Sequence, residues 1–368
     1  MHPGPEPTII RDGAPCPMPT FDTTVEAPRS SVREALHFDG LWWRKFARLG
    51  CVYGPDWWKR YSPSAIAAII FAAVGRNRRG ATLNLRRVLG AQGWWRDRRE
   101  ALRLYVQFAH CFTETHEAYG PRPAPVELLP PPQDHLRAAL AAGRGAVVLT
   151  AHFGNPDIAA LGFARYGRPV NLVMAREANA TVWPFIESLL DPRGLRVVYD
   201  SESPLRALTL LRALRNNEIV AVQFDGHPLA PGTTMVDFFG APAGFHVGPF
   251  LLARAAGAPI LPVYTVRIGR RRYAIHLQAH HEPRTTAEAL EALRTVVAGF
   301  EALVRQYPHQ WFQFADFWRL RPAARETRAV ARGAVEGEPP DTLPRERRPA
   351  LRGSGSTRAA PASRARRR

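Results

Sequence analysis

The chain reads as an α/β domain, a mostly parallel central sheet flanked by helices, entered through an N-terminal helical segment that associates with membranes. Three observations lead there. From about residue 132, short apolar runs alternate with amphipathic stretches of about 10–15 residues, the pattern of a buried parallel sheet. Residues 31–120 instead read as helical, with tryptophans interleaved among cations. The ends differ from both. Residues 1–29 are rich in proline, residues 321–368 are rich in Arg, Pro, Ala, Gly and Ser, and both read as disordered tails around one folded unit at 30–320.

In order, helix Asp134–Ala142 leads into the apolar strand Gly145–Thr150, then helix Asp157–Tyr166, strand Val170–Met174 and helix Ala178–Leu190. Strand Leu195–Tyr199, helix Pro204–Arg215 and strand Ile219–Phe224 follow. After a Gly/Pro-rich loop come helix Phe245–Ala256, strands Ile260–Arg267 and Arg272–Gln278, and helix Thr286–Gln306. In open parallel sheets the working side chains sit just past the carboxyl ends of the strands.

The net charge of +18 calls for an anionic partner. The tail from Arg321 holds 13 Arg against 5 acids, so the body is basic in its own right. Lys45 and Lys59 are the only lysines. No nucleic-acid-binding motif accompanies the charge, so an anionic membrane surface is expected and nucleic acid is not. Cys16, Cys51 and Cys111 are odd in number and far apart, which argues against a disulfide framework or zinc site. No apolar stretch of signal-peptide type follows the N-terminus, and none reaches the roughly 18–20 residues of a spanning helix. Leu41–Phe46 and Asp56–Tyr61 mix tryptophans with Arg and Lys, and the short apolar run Ala65–Val74 follows, which suits a helix lying in a bilayer interface. Packed helix faces with solvated cations between them would give the same pattern.

Three segments carry candidate chemistry. The first is Thr150-Ala151-His152-Phe153-Gly154-Asn155-Pro156-Asp157, directly after a strand. Asn155 can cap the next helix and Pro156 suits its first position. His152 then occupies the turn and Asp157 the first helical turn. A carboxylate on one imidazole nitrogen would leave the other free to take a proton from a hydroxyl, and the helix N-terminus offers N–H groups to a developing anion. With twelve histidines and 32 acids, a His followed five residues later by an acid arises about once by chance and occurs once, so the weight rests on the strand–turn–helix setting. The alternative is a structural histidine at a helix start. The second segment is Gln223-Phe224-Asp225-Gly226-His227-Pro228, again after a strand; Asp225 is placed to face a ligand, or is a turn aspartate, and His227 is a loop residue. The third, Asp237–Ala243 with Phe245–Pro249, sets glycines around a turn opening a helix, where backbone approaches a phosphate or thioester, or forms an ordinary turn. GxSxG, Walker A and HExxH motifs do not occur.

Together these blocks resemble the lysophospholipid acyltransferase superfamily, and more closely its lipid A biosynthesis (lauroyl/myristoyl) branch, over most of residues 40–320. His152 and Asp157 match its HX4D/E box and Ile219 to Asp225 its apolar strand ending in Asp. Phe238-Phe239-Gly240, Gly248 and Gly257-Ala258-Pro259-Ile260-Leu261-Pro262-Val263 match its later blocks. Arg78-Arg79 with Asn84-Leu85, the pair Arg176 and Asn179, and Pro308-His309-Gln310-Trp311 look like three further boxes. The resemblance implies acyl transfer from a thioester of acyl carrier protein or coenzyme A, used as co-substrate, to a hydroxyl of a membrane lipid or glycolipid, lipid A-type first. It calls for no cofactor, metal or covalent acyl-enzyme. It casts His152 as general base with Asp157 orienting it, and Arg176, Asn179, Asp225, Phe239, Gly240, Gly248 and Pro262 as substrate-binding positions. The hydrophobic anchor helix usual in this branch is short and broken here, and Gly226-His227-Pro228 replaces a second acidic residue. The expected location is the cytoplasmic face of the bacterial inner membrane, peripheral or monotopic. The rival from another class is a non-catalytic lipid- or carrier-binding protein on the same fold.

Overall fold

The computed structural model describes residues 41–129, 135–175, 187, 188, 190, 194–200, 204–226 and 232–318. Four helices come first: α1 Leu41–Tyr53, α2 Asp56–Ala73, α3 Gly75–Leu89 and α4 Trp94–Ala118. Helix α2 buries a stripe at four-residue spacing, Pro63, Ala67 and Phe71, and leaves Ile66 and Ile69 exposed. The alternating region follows as β1 Glu127–Leu129, α5 His135–Ala141, β2 Ala146–Thr150, α6 Pro156–Phe163, β3 Val170–Ala175, β4 Leu195–Asp200, α7 Pro204–Arg215 and β5 Ile219–Gln223. Next are β6 Thr233–Phe238, β7 Ala241–His246, α8 Gly248–Ala256, β8 Ile260–Gly269, β9 Arg272–Leu277 and α9 Thr286–Gln306, with a 3-10 turn at Pro308–Gln310.

Seven strands form one sheet in the order β1-β9-β8-β2-β5-β3-β4. All neighbours are parallel except β8 and β9, an antiparallel pair. Both faces are covered, which is why β2 and β5 are apolar on both sides rather than alternating. On β2, Val147 and Leu149 enter one core with Phe224, Phe245, Phe250, Tyr264, Phe300 and Trp311. Ala146 and Val148 face the other core, with Leu104, Tyr105, Ile158 and Tyr273.

Two expectations change. The segment read as a Gly/Pro-rich loop and the start of a helix at Phe245 holds a β6–β7 hairpin, and the helix begins at Gly248. Phe239 and Gly240 are its two-residue turn, both with positive φ (50° and 69°), the conformation that makes a tight hairpin follow the strand twist. Alternation is hidden in β7 because Ala241-Pro242-Ala243-Gly244 composes like a turn. The predicted helix 178–190 lies mostly outside the described residues, where 187, 188 and 190 are helical. The two tails also lie outside them. Among the described residues no helix is long and apolar enough to cross a membrane.

Candidate active site

Strands β2 and β5 are parallel neighbours with Thr150 opposite Gln223. Two residues past each, at the same level above the carboxyl edge of the sheet, stand His152 and Asp225. The Nδ1 of His152 donates to Asp225 Oδ1 at 3.0 Å, and its main-chain N–H donates to the same oxygen at 2.9 Å. Oδ2 accepts from the Trp311 indole N–H at 3.0 Å and from Gln313 Nε2 at 3.3 Å. Asp225 is fully buried (0 %), whereas the His152 side chain is 43 % exposed.

Burial alone would raise the Asp225 pKa, but the facing imidazolium and the donated hydrogen bonds outweigh it and hold the carboxyl below its usual range. Burial alone would lower the His152 pKa; the Asp225 charge and hydrogen bond outweigh that and raise it. An ionised carboxylate only accepts, so Nδ1 carries the proton, and in the neutral imidazole Nε2 keeps its lone pair. Among the described residues nothing pairs with Nε2.

The turn that presents His152 is clamped from two sides. Asn155 caps α6 as expected, its Oδ1 accepting from the Ile158 N–H, and its Nδ2 reaches the Tyr273 hydroxyl and the Cys111 carbonyl. Tyr273 in turn donates to buried Glu114, which also pairs with Arg267. Gly154 has φ +61°, and a Cβ there would lie 1.8 Å from the Thr265 carbonyl of β8. Opposite, Phe312 N–H donates to the His152 carbonyl at 2.7 Å and Gly154 N–H to that of Gln310. The thiols of Cys51 and Cys111 are pushed up by burial, to about 11 and about 12, so both stay protonated.

The resemblance casts Asp157 as the residue that holds the imidazole. Asp157 sits in the first turn of α6, open to solvent, and no hydrogen bond joins it to His152. Although accessible, its carboxyl is surrounded closely enough by protein that lost hydration raises its pKa. Asp225, expected to face an acceptor, is instead the partner of the imidazole and sealed from any ligand. Phe239 is buried beside Arg305, Glu301 and Trp318, and Gly240 is exposed in the hairpin turn. Gly248 is exposed at the first position of α8, and Pro262 is buried within β8. Arg176, Asn179 and His227 lie outside the described residues. Trp311 closes the Pro308–Trp311 box noted in the sequence, where it carries no assigned role, and Gln313 lies just past it. The alternation in Trp311-Phe312-Gln313-Phe314 was the available signal, because it puts the indole and the amide on one side.

In chemical terms the arrangement can act as a base: an imidazole with one nitrogen locked and the other without a partner among the described residues. The chain is 29% identical to phosphatidylinositol mannoside acyltransferases of two Mycobacterium tuberculosis strains (CDC 1551 / Oshkosh and ATCC 25618 / H37Rv), over 187 and 189 residues, 50% of this chain and 58% of each relative. It is 27% identical to the protein of that name from Mycolicibacterium smegmatis over 188 residues, 50% of this chain and 60% of the relative. The match thus spans somewhat over half the length of these relatives. Residues 42–320, the four helices, the sheet and the closing segment alike, match the model of the bacterial lipid A biosynthesis acyltransferases, and the chain belongs to that family.

Proposed function

We propose that the chain transfers a fatty acyl group from an acyl thioester, on acyl carrier protein or coenzyme A, to a sugar hydroxyl of a membrane glycolipid. The observation that carries this reading is the His152–Asp225 pair, with Nδ1 bound to a buried carboxylate and, among the described residues, no partner on Nε2 of a half-exposed ring. Nε2 takes the proton of the acceptor hydroxyl as its oxygen attacks the thioester carbonyl carbon. Asp225 stabilises the imidazolium formed. The tetrahedral intermediate collapses with cleavage of the C–S bond, and the leaving thiolate recovers the proton from Nε2. The products are an ester and a free thiol. For the acceptor, the relatives' names favour a phosphatidylinositol mannoside-type glycolipid over lipid A.

The same reading puts the protein at the cytoplasmic face of the inner membrane, as a peripheral or monotopic enzyme. Its support is a set of exposed aromatic and aliphatic side chains: Phe46 and Leu49 on α1, Trp57, Tyr61 and Ile69 on α2, and Trp94 and Trp95 on α4. Exposed Lys45, Arg60, Arg96 and Arg99 lie on the same helices. Such a surface suits the headgroup level of an anionic bilayer.

The test is His152→Ala, assayed with acyl-CoA or acyl carrier protein thioesters against a mycobacterial-type lipid extract, with products identified by mass spectrometry. A positioned base typically contributes about 10²–10⁴-fold, and a loss of that size with an unchanged melting temperature is expected. Full activity in the variant would leave the rival, a lipid- or carrier-binding protein, in its place.

A further inference from the structure

The segment after α9 runs between the N-terminal helices and the histidine turn, and its side chains alternate. Phe312 and Phe314 face α4, where their rings meet Phe108 and Tyr105 at 4.9–5.3 Å. Trp311 and Gln313 face Asp225. The indole is fixed in direction by rings set around it edge-on: Phe238 at 5.4 Å, Phe317 at 5.1 Å and Trp318 at 5.8 Å. Gln313 is fixed through its backbone and its amide. Its carbonyl accepts from the buried Asn84 at 2.9 Å, and its own Nε2 also donates to the Asp225 carbonyl at 2.8 Å. Asn84 further binds Ala315 and Phe317, so α3 holds the segment from behind.

We propose that Trp311 and Gln313 are positioning residues for the dyad: by holding Oδ2 of Asp225 they fix the plane of the carboxylate, so that Oδ1 stays aligned with both N–H groups of His152 and the half-exposed ring keeps one orientation. The inference rests on the dyad reading above. The last torsion of an aspartate is broad and roughly two-fold, so a carboxylate held at one oxygen alone samples a wide arc. Two donors on the second oxygen remove that freedom. They also draw charge away from Oδ1, which moderates the pull of Asp225 on the imidazolium. Tyr264 of β8 also faces Asp225 and remains a neutral phenol, its pKa pushed up by burial and by that carboxylate. Among the described residues, Asp225 is the charge that acts on His152.

The deciding variant is Gln313→Met, which keeps the length of the side chain and loses the N–H donor. Trp311→Phe is its companion, although it opens space among the surrounding rings and can weaken the fold, so melting temperature is recorded for both. The His152 ring is titrated by NMR in the full chain, and acyl transfer is measured across the same pH range. With one donor gone, the negative charge concentrates on the carboxylate. The apparent pKa of His152 shifts by about half to one unit, upward where the charge gained by Oδ1 dominates and downward where the freed carboxylate swings off Nδ1, and kcat at neutral pH falls about three- to tenfold at unchanged KM. A ring pKa that stays in place, whether or not kcat falls uniformly with pH, overturns the proposal and leaves Gln313 a packing residue. His152→Ala separates the two ideas: if it is active the dyad reading fails, whereas if it is dead and Gln313→Met leaves the ring pKa in place, the positioning role alone fails.

Discussion

Replacing Asp225 with asparagine removes one negative charge from a sealed site that faces four donors, the two N–H groups of His152, the Trp311 indole and the Gln313 amide. An amide offers one oxygen and one NH₂. With its oxygen toward His152, the NH₂ meets the indole N–H, which has no acceptor to offer, although Gln313 can turn. With the oxygen toward Trp311, the NH₂ meets the main-chain N–H of His152 and donates to Nδ1, which drives the ring proton to Nε2 and abolishes the base. Either orientation buries a donor against a donor, at about 1–3 kcal/mol. Neither supplies a charge for the imidazolium. By analogy with the carboxylate of a Ser-His-Asp triad, where the loss is about 10⁴-fold, kcat should fall by about 10³–10⁴. The assay is the initial rate of glycolipid acylation, read by mass spectrometry, with thermal melting to confirm folding. Asp157→Asn is the control, because no hydrogen bond ties Asp157 to the imidazole, and it should stay within about tenfold of the parent. Asp225→Asn within tenfold of the parent, or Asp157→Asn equally damaging, would refute the assignment of the partner carboxylate.

Because Asp225 holds the His152 pKa above the ordinary imidazole value of about 6.5, and the neutral ring is the base, kcat/KM should fall on the acid side with a midpoint above that value; a midpoint at or below it in a pH-rate profile contradicts the ion pair. Gly154→Ala puts a Cβ into the Thr265 carbonyl at positive φ and should cost about 3 kcal/mol or more, read as a lowered melting temperature. Ile69 and Trp95 are 66 % and 78 % exposed, and burying such side chains in a bilayer contributes about 1.5–3 kcal/mol each. The double change to glutamate should therefore weaken co-sedimentation with anionic vesicles at least about tenfold, and unchanged sedimentation would remove these side chains from the membrane reading.

The elements were legible where one signal decides them. Ala146–Leu149 and Ile219–Val222 are apolar without interruption, and α7 and α9 run over the residues their periodicity marks. Asn155 and Pro156 announced the start of α6. The partner of the histidine was not legible, because sequence proximity favoured Asp157, five residues on, whereas Asp225 lies 73 residues away. What brings Asp225 there is the strand order, with β5 beside β2 in register, and no local pattern encodes which strands become neighbours. The β6–β7 hairpin escaped for the opposite reason: its turn is Phe-Gly, where the phenylalanine takes a positive φ that few non-glycine residues accept.

The stitching of residues 310–317 to Asn84, His152 and Asp225 sets a timetable for synthesis. A nascent chain that has emerged only as far as α9 already possesses both halves of the dyad, yet lacks the indole and amide on Asp225 and the backbone bond that steadies the histidine turn. The His152–Asp225 arrangement is therefore completed late, by a handful of residues that reach back between 86 and 233 positions. The hydrogen-bonded set around Asp225 closes only after the ribosome has released the stretch that looks like an afterthought to the sheet.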